Sequence, residues 1–221
     1  MSALLPAAAT AAPLVTGWTL HTVWMGRRLD RARRDPLTGL HTRALFEKRA
    51  RRLLRGGPCA VVVVDLDGFK HVNDTYGHAA GDTAIRAAGG TLADAIEAEG
   101  RGGIVARLGG DEFAAAVPTA DPVALRWLLG GLHDALCTPL RVDGRDLTFG
   151  ASLGAVWHED QAPADLSRLL RLADEAMYGA KRNGGGWQVA HDHPPVRRTV
   201  NGRREGRSGA HTTAPEGGGR R

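Results

Sequence analysis

The fold of this chain is decided by residues 104–117, which read IVARLGGDEFAAAV. Two apolar runs, 104–108 and 113–117, flank the turn residues 109–112, which are Gly-Gly-Asp-Glu. Short apolar runs bounded by turn residues are typical of strands, and glycines let the backbone reverse direction at positive φ. The sequence therefore predicts two neighbouring strands joined by a tight turn that carries two carboxylates.

Outward from this hairpin, helix and strand patterns alternate between residues 35 and 190. Residues 60–64, Ala-Val-Val-Val-Val, form a β-branched run that is typical of a buried central strand. The other predicted elements are helices at 42–55, 80–97, 122–136 and 164–181, and strands at 140–142, 146–157 and 187–190. We predict one α/β (α+β) domain, with a mixed, mostly antiparallel sheet flanked by helices.

A second acidic cluster follows the valine run. Asp65-Leu66-Asp67 stands where the predicted central strand ends. If that strand lies beside the hairpin, Asp65 and Asp111 converge, and two converging carboxylates repel each other unless a cation lies between them. Mg²⁺ prefers one or two carboxylates together with phosphate oxygens, which suits metal-assisted phosphoryl or nucleotidyl transfer. Acidic turn residues also occur for conformational reasons alone, so the combination of both clusters carries this prediction.

Lysine usage adds a clue to phosphate chemistry. Of 29 basic residues, only Lys48, Lys70 and Lys181 are lysines, and Lys70 lies five positions after Asp65. An ammonium group is a compact charge that suits phosphate. We therefore interpret Lys70 as a phosphate contact and Lys48 as a solvated residue on a helix face.

The positive charge of the chain lies at its two ends. The 221 residues carry a formal charge of +5. Residues 27–34 hold five arginines against one Asp, and residues 191–221 hold seven arginines against three acids, whereas residues 35–190 hold 17 basic and 20 acidic residues. A domain that binds nucleic acid carries its own basic face, so we predict no nucleic-acid partner. The two cysteines exclude a disulfide framework.

The first 26 residues contain no Asp, Glu, Lys or Arg. Residues 3–25 are long enough to span a bilayer as a helix, and the arginines of residues 27–34 follow as a cytoplasmic flank would. We predict a hydrophobic helix that anchors the chain, a basic linker, and a single-pass protein of the cell membrane with domain 35–190 in the cytoplasm. The alternatives are an amphipathic helix packed on a partner chain and a cytoplasmic protein. Residues 191–221 predict a disordered basic tail.

The acidic motifs occur in an order that resembles a known family. Residues 109–113, Gly-Gly-Asp-Glu-Phe, match the signature of the GGDEF family of diguanylate cyclases. The chain is similar to that family at four further places, namely residues 35–40 with Arg43, 65–70, 73–82 and 173–181. The resemblance covers about residues 35–190 and marks this range as a GGDEF catalytic domain.

The resemblance implies that two GTP molecules condense to cyclic di-GMP with loss of two pyrophosphates, on a fold like the palm of nucleotidyl cyclases and polymerases. It implies a Mg²⁺ cofactor, with Mn²⁺ as an alternative, held by Asp65, the backbone carbonyl of Leu66 and Asp111. Asp111 and Glu112 would together activate the ribose 3′-OH. The other implied binding residues are Asn73 and Asp82 for the guanine edge, His78 for the nucleotide pocket, and Lys70 and Lys181 for the triphosphate.

In this family one domain binds one GTP, so the resemblance implies that activity needs a homodimer. Control would act through the segment before Asp35 or through an unidentified signalling partner. The chain departs from the family at Gly100 and Gly103, where a product-inhibition motif is expected, and at Gly185, where an arginine is usual. The change at Gly185 keeps a second hypothesis open, a weak or inactive domain that binds GTP and signals through a partner. A purely structural dimerisation module would require both acidic turns to be accidental.

Overall fold

Strand β2, Cys59–Asp67, lies inside a six-stranded sheet in the computed structural model of the chain. The structure describes residues 18, 21, 22, 24, 33–119, 121–142, 144–159 and 164–191. The strand order is β1-β3-β4-β2-β7-β8, and β5 and β6 form a separate two-stranded sheet. The other strands are β1 His41–Thr42, β3 Ile104–Gly109, β4 Glu112–Pro118, β5 Leu140–Val142, β6 Arg145–Leu147, β7 Gly150–His158 and β8 Gly186–His191.

Five helices lie between residues 33 and 191, namely α1 Arg43–Leu53, α2 Phe69–Tyr76, α3 His78–Ala98, α4 Pro122–Leu136 and α5 Leu166–Arg182. The two helices nearest the C-terminal end of the domain begin with the same device. The side chain of Asp121 accepts a hydrogen bond from the backbone N–H of Val123 at 2.7 Å, and Asp165 accepts one from Ser167 at 3.0 Å. Such caps satisfy backbone donors that the first turn of a helix leaves unpaired.

The sheet is mixed, as the sequence predicts. Strand β2 pairs antiparallel with both β4 and β7, and β3 pairs antiparallel with β4. The two outer pairs, β1 with β3 and β7 with β8, are parallel. The predicted α/β class with a mostly antiparallel sheet is therefore confirmed. The strand order places β2, which carries Asp65 and Asp67, beside β4, which follows Asp111.

Helices cover both faces of β2, because its valines alternate between two cores. Val62 and Val64 belong to a core with Ile85 of α3 and Leu129 of α4. Val61 and Val63 belong to a second core, which contains Phe46 of α1 and Leu169 of α5. A strand that is apolar on both faces is expected in such a three-layer arrangement.

The structure differs from the predicted elements in three places. Strand β1 has no predicted counterpart, because it is only 2 residues long. Helix α2, with the sequence FKHVNDTY, has no predicted counterpart, because it is only 8 residues long and Val72 is its one buried residue. The predicted strand at residues 146–157 is divided into β6 and β7, because the chain leaves one sheet and enters the other between Leu147 and Gly150.

The predicted location in the cell membrane is contradicted. Among the described residues, no helix is both long enough and apolar enough to cross a membrane. Most of the predicted hydrophobic helix over residues 1–26 lies outside the described residues, as does the predicted tail beyond residue 191. Within the first segment, Trp18 and Trp24 are helical and exposed.

Candidate active site

The two acidic clusters meet where β2 ends and β4 begins. Asp65 lies opposite Glu112 in the pairing of these strands, and the N–H of Leu66 donates a hydrogen bond to the carbonyl of Asp111 at 3.3 Å. The turn that holds Asp111 follows Gly110, whose φ is +53°, a left-handed conformation that favours glycine. The sequence prediction that Asp65 and Asp111 converge is thus matched by the strand register.

Lys181 reaches these carboxylates from the last turn of α5. Its Nζ donates a hydrogen bond to Asp65 Oδ2 and lies 3.8 Å from Asp67 Oδ1. The side chain of Asp65 is only 12% exposed, whereas that of Lys181 is 43% exposed. The ammonium therefore covers a nearly buried carboxylate while its own outer side stays open to a ligand.

The electrostatics of the cluster follow from this geometry. Burial raises the pKa of Asp111 above its ordinary value, and the charge of Asp65 adds to the rise, while Lys181 and Arg107 oppose it. Burial works against the charge of Lys181, but the hydrogen bond to Asp65 and the nearby carboxylates raise its pKa overall. A bound cation near Asp111 would offset the effect of burial and of the neighbouring charge on this carboxyl.

These donors fit a hard divalent cation. Asp65 near the end of β2 and Asp111 in the turn before β4 lie close enough to interact electrostatically. Oxygen ligands with open positions for phosphate are what Mg²⁺ prefers. In the part of the chain that the structure describes, no group of three or more His, Cys, Asp or Glu side chains forms a metal site. The predicted set has two such side chains and one backbone carbonyl, so it relies on further oxygens from a bound ligand.

Asp67 is a third carboxylate of the cluster, and the sequence analysis assigned it no role. The hydroxyl of Ser152 on β7 donates to Asp67 at 2.8 and 3.0 Å, which fixes the carboxylate. A Cβ on Gly185 would lie 3.2 Å from Asp67 Oδ2, so the chain segment after α5 passes close to it. The period of two in β2 places Asp67 on the same face as Asp65, which is the signal that could have indicated its part in the cluster.

The candidate nucleotide-binding residues lie on α2 and α3. Asn73 lies on α2 against Gly81 of α3, where a Cβ would stand 2.0 Å from Asn73 Oδ1, so only glycine permits this contact. His78 is the first residue of α3, and Asp82 lies one turn later on its exposed side, 3.9 Å from Arg86. The structure thus brings Asn73 and the start of α3 together.

Lys70 and Glu112 are exposed at the two sides of this region. Lys70 lies in the first turn of α2, directly after β2. Glu112 lines a cavity of about 470 Å³ between α1 and α5, together with Arg43, Arg171 and other residues. Neither side chain forms a hydrogen bond or ion pair with Asp65 or Lys181, so their predicted roles depend on a bound ligand.

Arg107 joins the acidic turn to the opening turn of the domain, a link that the sequence analysis missed. Its Nε and Nη2 donate to the carbonyl of Gly110 at 2.9 and 2.7 Å, and its Nη1 donates to the carboxylate of Asp35 at 3.2 and 3.3 Å. Thr38 donates to the same carboxylate from its N–H and hydroxyl. Burial opposes the charge of Asp35, but these bonds lower its pKa overall.

Fold and site together define an α/β domain in which the carboxylates of a strand end, Asp65 and Asp67, and of the neighbouring turn, Asp111, lie close to Lys181. Residues 32–186 match the family described as diguanylate cyclase, GGDEF domain. The chain belongs to the GGDEF family.

Two known proteins are similar to this chain over most of its length. A 19.3 kDa protein encoded in the repSA 5′ region of Streptomyces ambofaciens is 46% identical over 175 residues, which are 79% of this chain and 91% of that protein. The diguanylate cyclase DgcP of Pseudomonas aeruginosa is 35% identical over 161 residues, which are 70% of this chain but only 23% of DgcP.

Among solved structures, the diguanylate cyclase SiaD of Pseudomonas aeruginosa, in complex with its activator SiaC, superimposes with a TM-score of 0.65 at 26% identity. The similarity covers 85% of this chain and 73% of SiaD. The fold of the described domain is therefore that of GGDEF proteins.

Proposed function

We propose that this chain is a diguanylate cyclase, which condenses two GTP molecules to cyclic di-GMP and releases two pyrophosphates. The observation that carries the proposal is the convergence of Asp65 and Asp111 beneath Lys181. A charged centre of this kind stabilises the charge that develops when a hydroxyl attacks a phosphate. The match over residues 32–186 and the similarity to DgcP support this reaction for domain 35–190.

The proposed cofactor is Mg²⁺, with Mn²⁺ as an alternative, held by Asp65, the carbonyl of Leu66 and Asp111. When bound, the cation would neutralise phosphate charge and polarise the phosphate under attack. Asp111 and Glu112 are the proposed carboxylates that support loss of the proton from the ribose 3′-OH. Their position at the start of β4 is rigid, because the turn is fixed by the Leu66 hydrogen bond and by Arg107.

Substrate binding is proposed for residues on both sides of these carboxylates. Lys181 balances Asp65 and Asp67 in the structure, and its open side can turn to the triphosphate. Lys70 would neutralise the same triphosphate from the first turn of α2. The residues proposed for the nucleoside are Asn73 and Asp82 at the guanine edge, with His78 in the pocket wall.

A homodimer is the proposed active form. The product contains two equivalent phosphodiester bonds, whereas the described chain brings together one set of converging carboxylates. Two copies that face each other across a two-fold axis would supply both centres. Because SiaD is described in complex with its activator, a signalling partner is also proposed for this chain.

The second candidate is a weak or inactive domain that binds GTP and signals through a partner. It is favoured by Gly185, which stands where the family usually has an arginine. Its φ is +100° and a Cβ there would lie 3.2 Å from Asp67, so this backbone does not accommodate an arginine. In this case the domain would keep the guanine-binding residues and lose a phosphate contact.

Turnover separates the two candidates. The full chain is incubated with GTP and Mg²⁺, and the products are resolved by chromatography. We expect cyclic di-GMP from the unchanged chain and a loss of at least about 100-fold in Asp111→Ala, since a catalytic charge is removed. Asp94→Ala, an exposed carboxylate on α3, is the matched control and should keep its activity. GTP binding without product in the unchanged chain would establish the second candidate instead.

A further inference from the structure

A cavity of about 320 Å³ lies beside the edge strand β1. It is lined by Arg33, Arg34, His41, Leu45 and Arg49. Three of these five residues are arginines and none is an acid, and the cavity shares no lining residue with the acidic turns. We call it the arginine cavity.

The arginine cavity is built on a fixed backbone. Arg34 and His41 form an isolated antiparallel bridge, and the N–H of Thr42 donates to the carbonyl of Arg33 at 2.9 Å. The guanidinium of Arg34 donates to the carbonyl of Gly39 at 2.7 Å, which uses one of its five donors. These bonds fix Arg33 and Arg34 against the turn and strand that follow them, at Gly39, His41 and Thr42.

His41 has a buried donor in this setting. Arg49 Nη1 lies 3.3 Å from His41 Nε2, and because a guanidinium can only donate, Nε2 accepts and the proton of the neutral ring lies on Nδ1. Nδ1 is buried and has no hydrogen-bond partner among the described residues. Burial lowers the pKa of His41, and the charges of Arg49 and Arg34 lower it further, so the cavity wall is strongly positive.

A buried N–H without an acceptor costs free energy, and a group of guanidinium forks around a cavity matches the oxygens of a phosphate. We propose that the arginine cavity binds a phosphate group, with Arg49 and Arg34 donating to its oxygens and His41 in the cavity wall beside them. The shared chemistry is that of inorganic phosphate and of a phosphate monoester. This site is separate from the proposed cyclase centre and does not rest on it.

Equilibrium dialysis of the full chain tests the proposal. Binding of labelled inorganic phosphate is compared with binding of labelled glycerol 3-phosphate, with the ionic strength held constant by chloride. Every chain in the experiment carries Lys181→Met, because the ammonium of Lys181 also attracts phosphate. We expect saturable binding of about one ligand per chain. Arg49→Gln should weaken it at least about tenfold, because it removes a charge-assisted hydrogen bond. Arg52→Gln, on the same helix but outside the cavity, should change it less than about twofold.

Tighter binding of one ligand identifies the source of the phosphate. Nitrogen NMR of the histidine side chains localises the site, with the His41 signal assigned by its loss in His41→Gln. The Nδ1 resonance of His41 should shift as phosphate is added and should saturate at the same concentration as binding in the dialysis. Arg49→Gln should leave the thermal unfolding temperature unchanged, so that its weaker binding does not come from unfolding. The proposal is overturned by non-saturable binding, by equal losses in Arg49→Gln and Arg52→Gln, or by a His41 resonance that does not respond.

Discussion

At the residue scale, Asp35 links charge, stability and the position of the acidic turn. Bonds from Thr38 and Arg107 lower the pKa of Asp35 despite its burial, so its ionised form stabilises the folded chain. This contribution to stability is fully present above the ordinary pKa of Asp, about 3.9. It is lost as the pH falls through the lowered pKa that Asp35 has in the folded chain. Asp35→Asn should therefore lower the free energy of unfolding at neutral pH by about 1–3 kcal/mol, and less in acid.

Urea unfolding at several pH values measures this effect, and Asp94→Asn on the exposed side of α3 is the control. A deficit that stays the same at acid pH would show that the charge of Asp35 is not its cause. Since Arg107 also holds the carbonyl of Gly110, cyclase turnover should fall in Asp35→Asn at neutral pH and remain unchanged in the control.

At the element scale, the packing of α5 on β7 sets the position of Lys181. A Cβ on Gly154 would lie 1.9 Å from the carbonyl of Ala173 and 2.2 Å from the N–H nitrogen of Met177, so the helix touches the strand at the glycine. Gly154→Ala should force them apart and destabilise the chain by about 1–3 kcal/mol. It should also reduce turnover, because Lys181 moves with the helix. Urea unfolding and the GTP assay measure the two effects.

The control is Gly131→Ala on α4, where a Cβ meets nothing within 4 Å. Because alanine favours a helix over glycine, this change should leave the chain equally stable or more stable by up to about 1 kcal/mol. Equal effects of the two substitutions would contradict the close contact at Gly154.

The same elements show which parts of the structure the sequence could predict. The valines of β2 and the apolar runs around residues 109–112 predict neighbouring strands, because their patterns are local. Helix α2 escapes prediction because a helix of 8 residues is too short for its helical period to stand out in the sequence. The bond between Arg107 and Asp35 joins residues 72 positions apart, and that between Ser152 and Asp67 joins residues 85 apart. Such pairs depend on strand order and on the path of the chain, which one sequence does not display.

At the scale of the whole molecule, the proposed dimer has a kinetic consequence. Each new bond of cyclic di-GMP joins a 3′-OH of one GTP to the α-phosphate of the other, so in the proposed mechanism two domains must meet before either bond forms. Turnover per chain should rise with protein concentration and level off once dimers predominate. An excess of Asp111→Ala chains should lower the turnover of unchanged chains by drawing them into mixed dimers, whereas the same excess of serum albumin should not. Turnover per chain that is constant on dilution, in a chain that sediments as a monomer, would exclude the dimer as the active form.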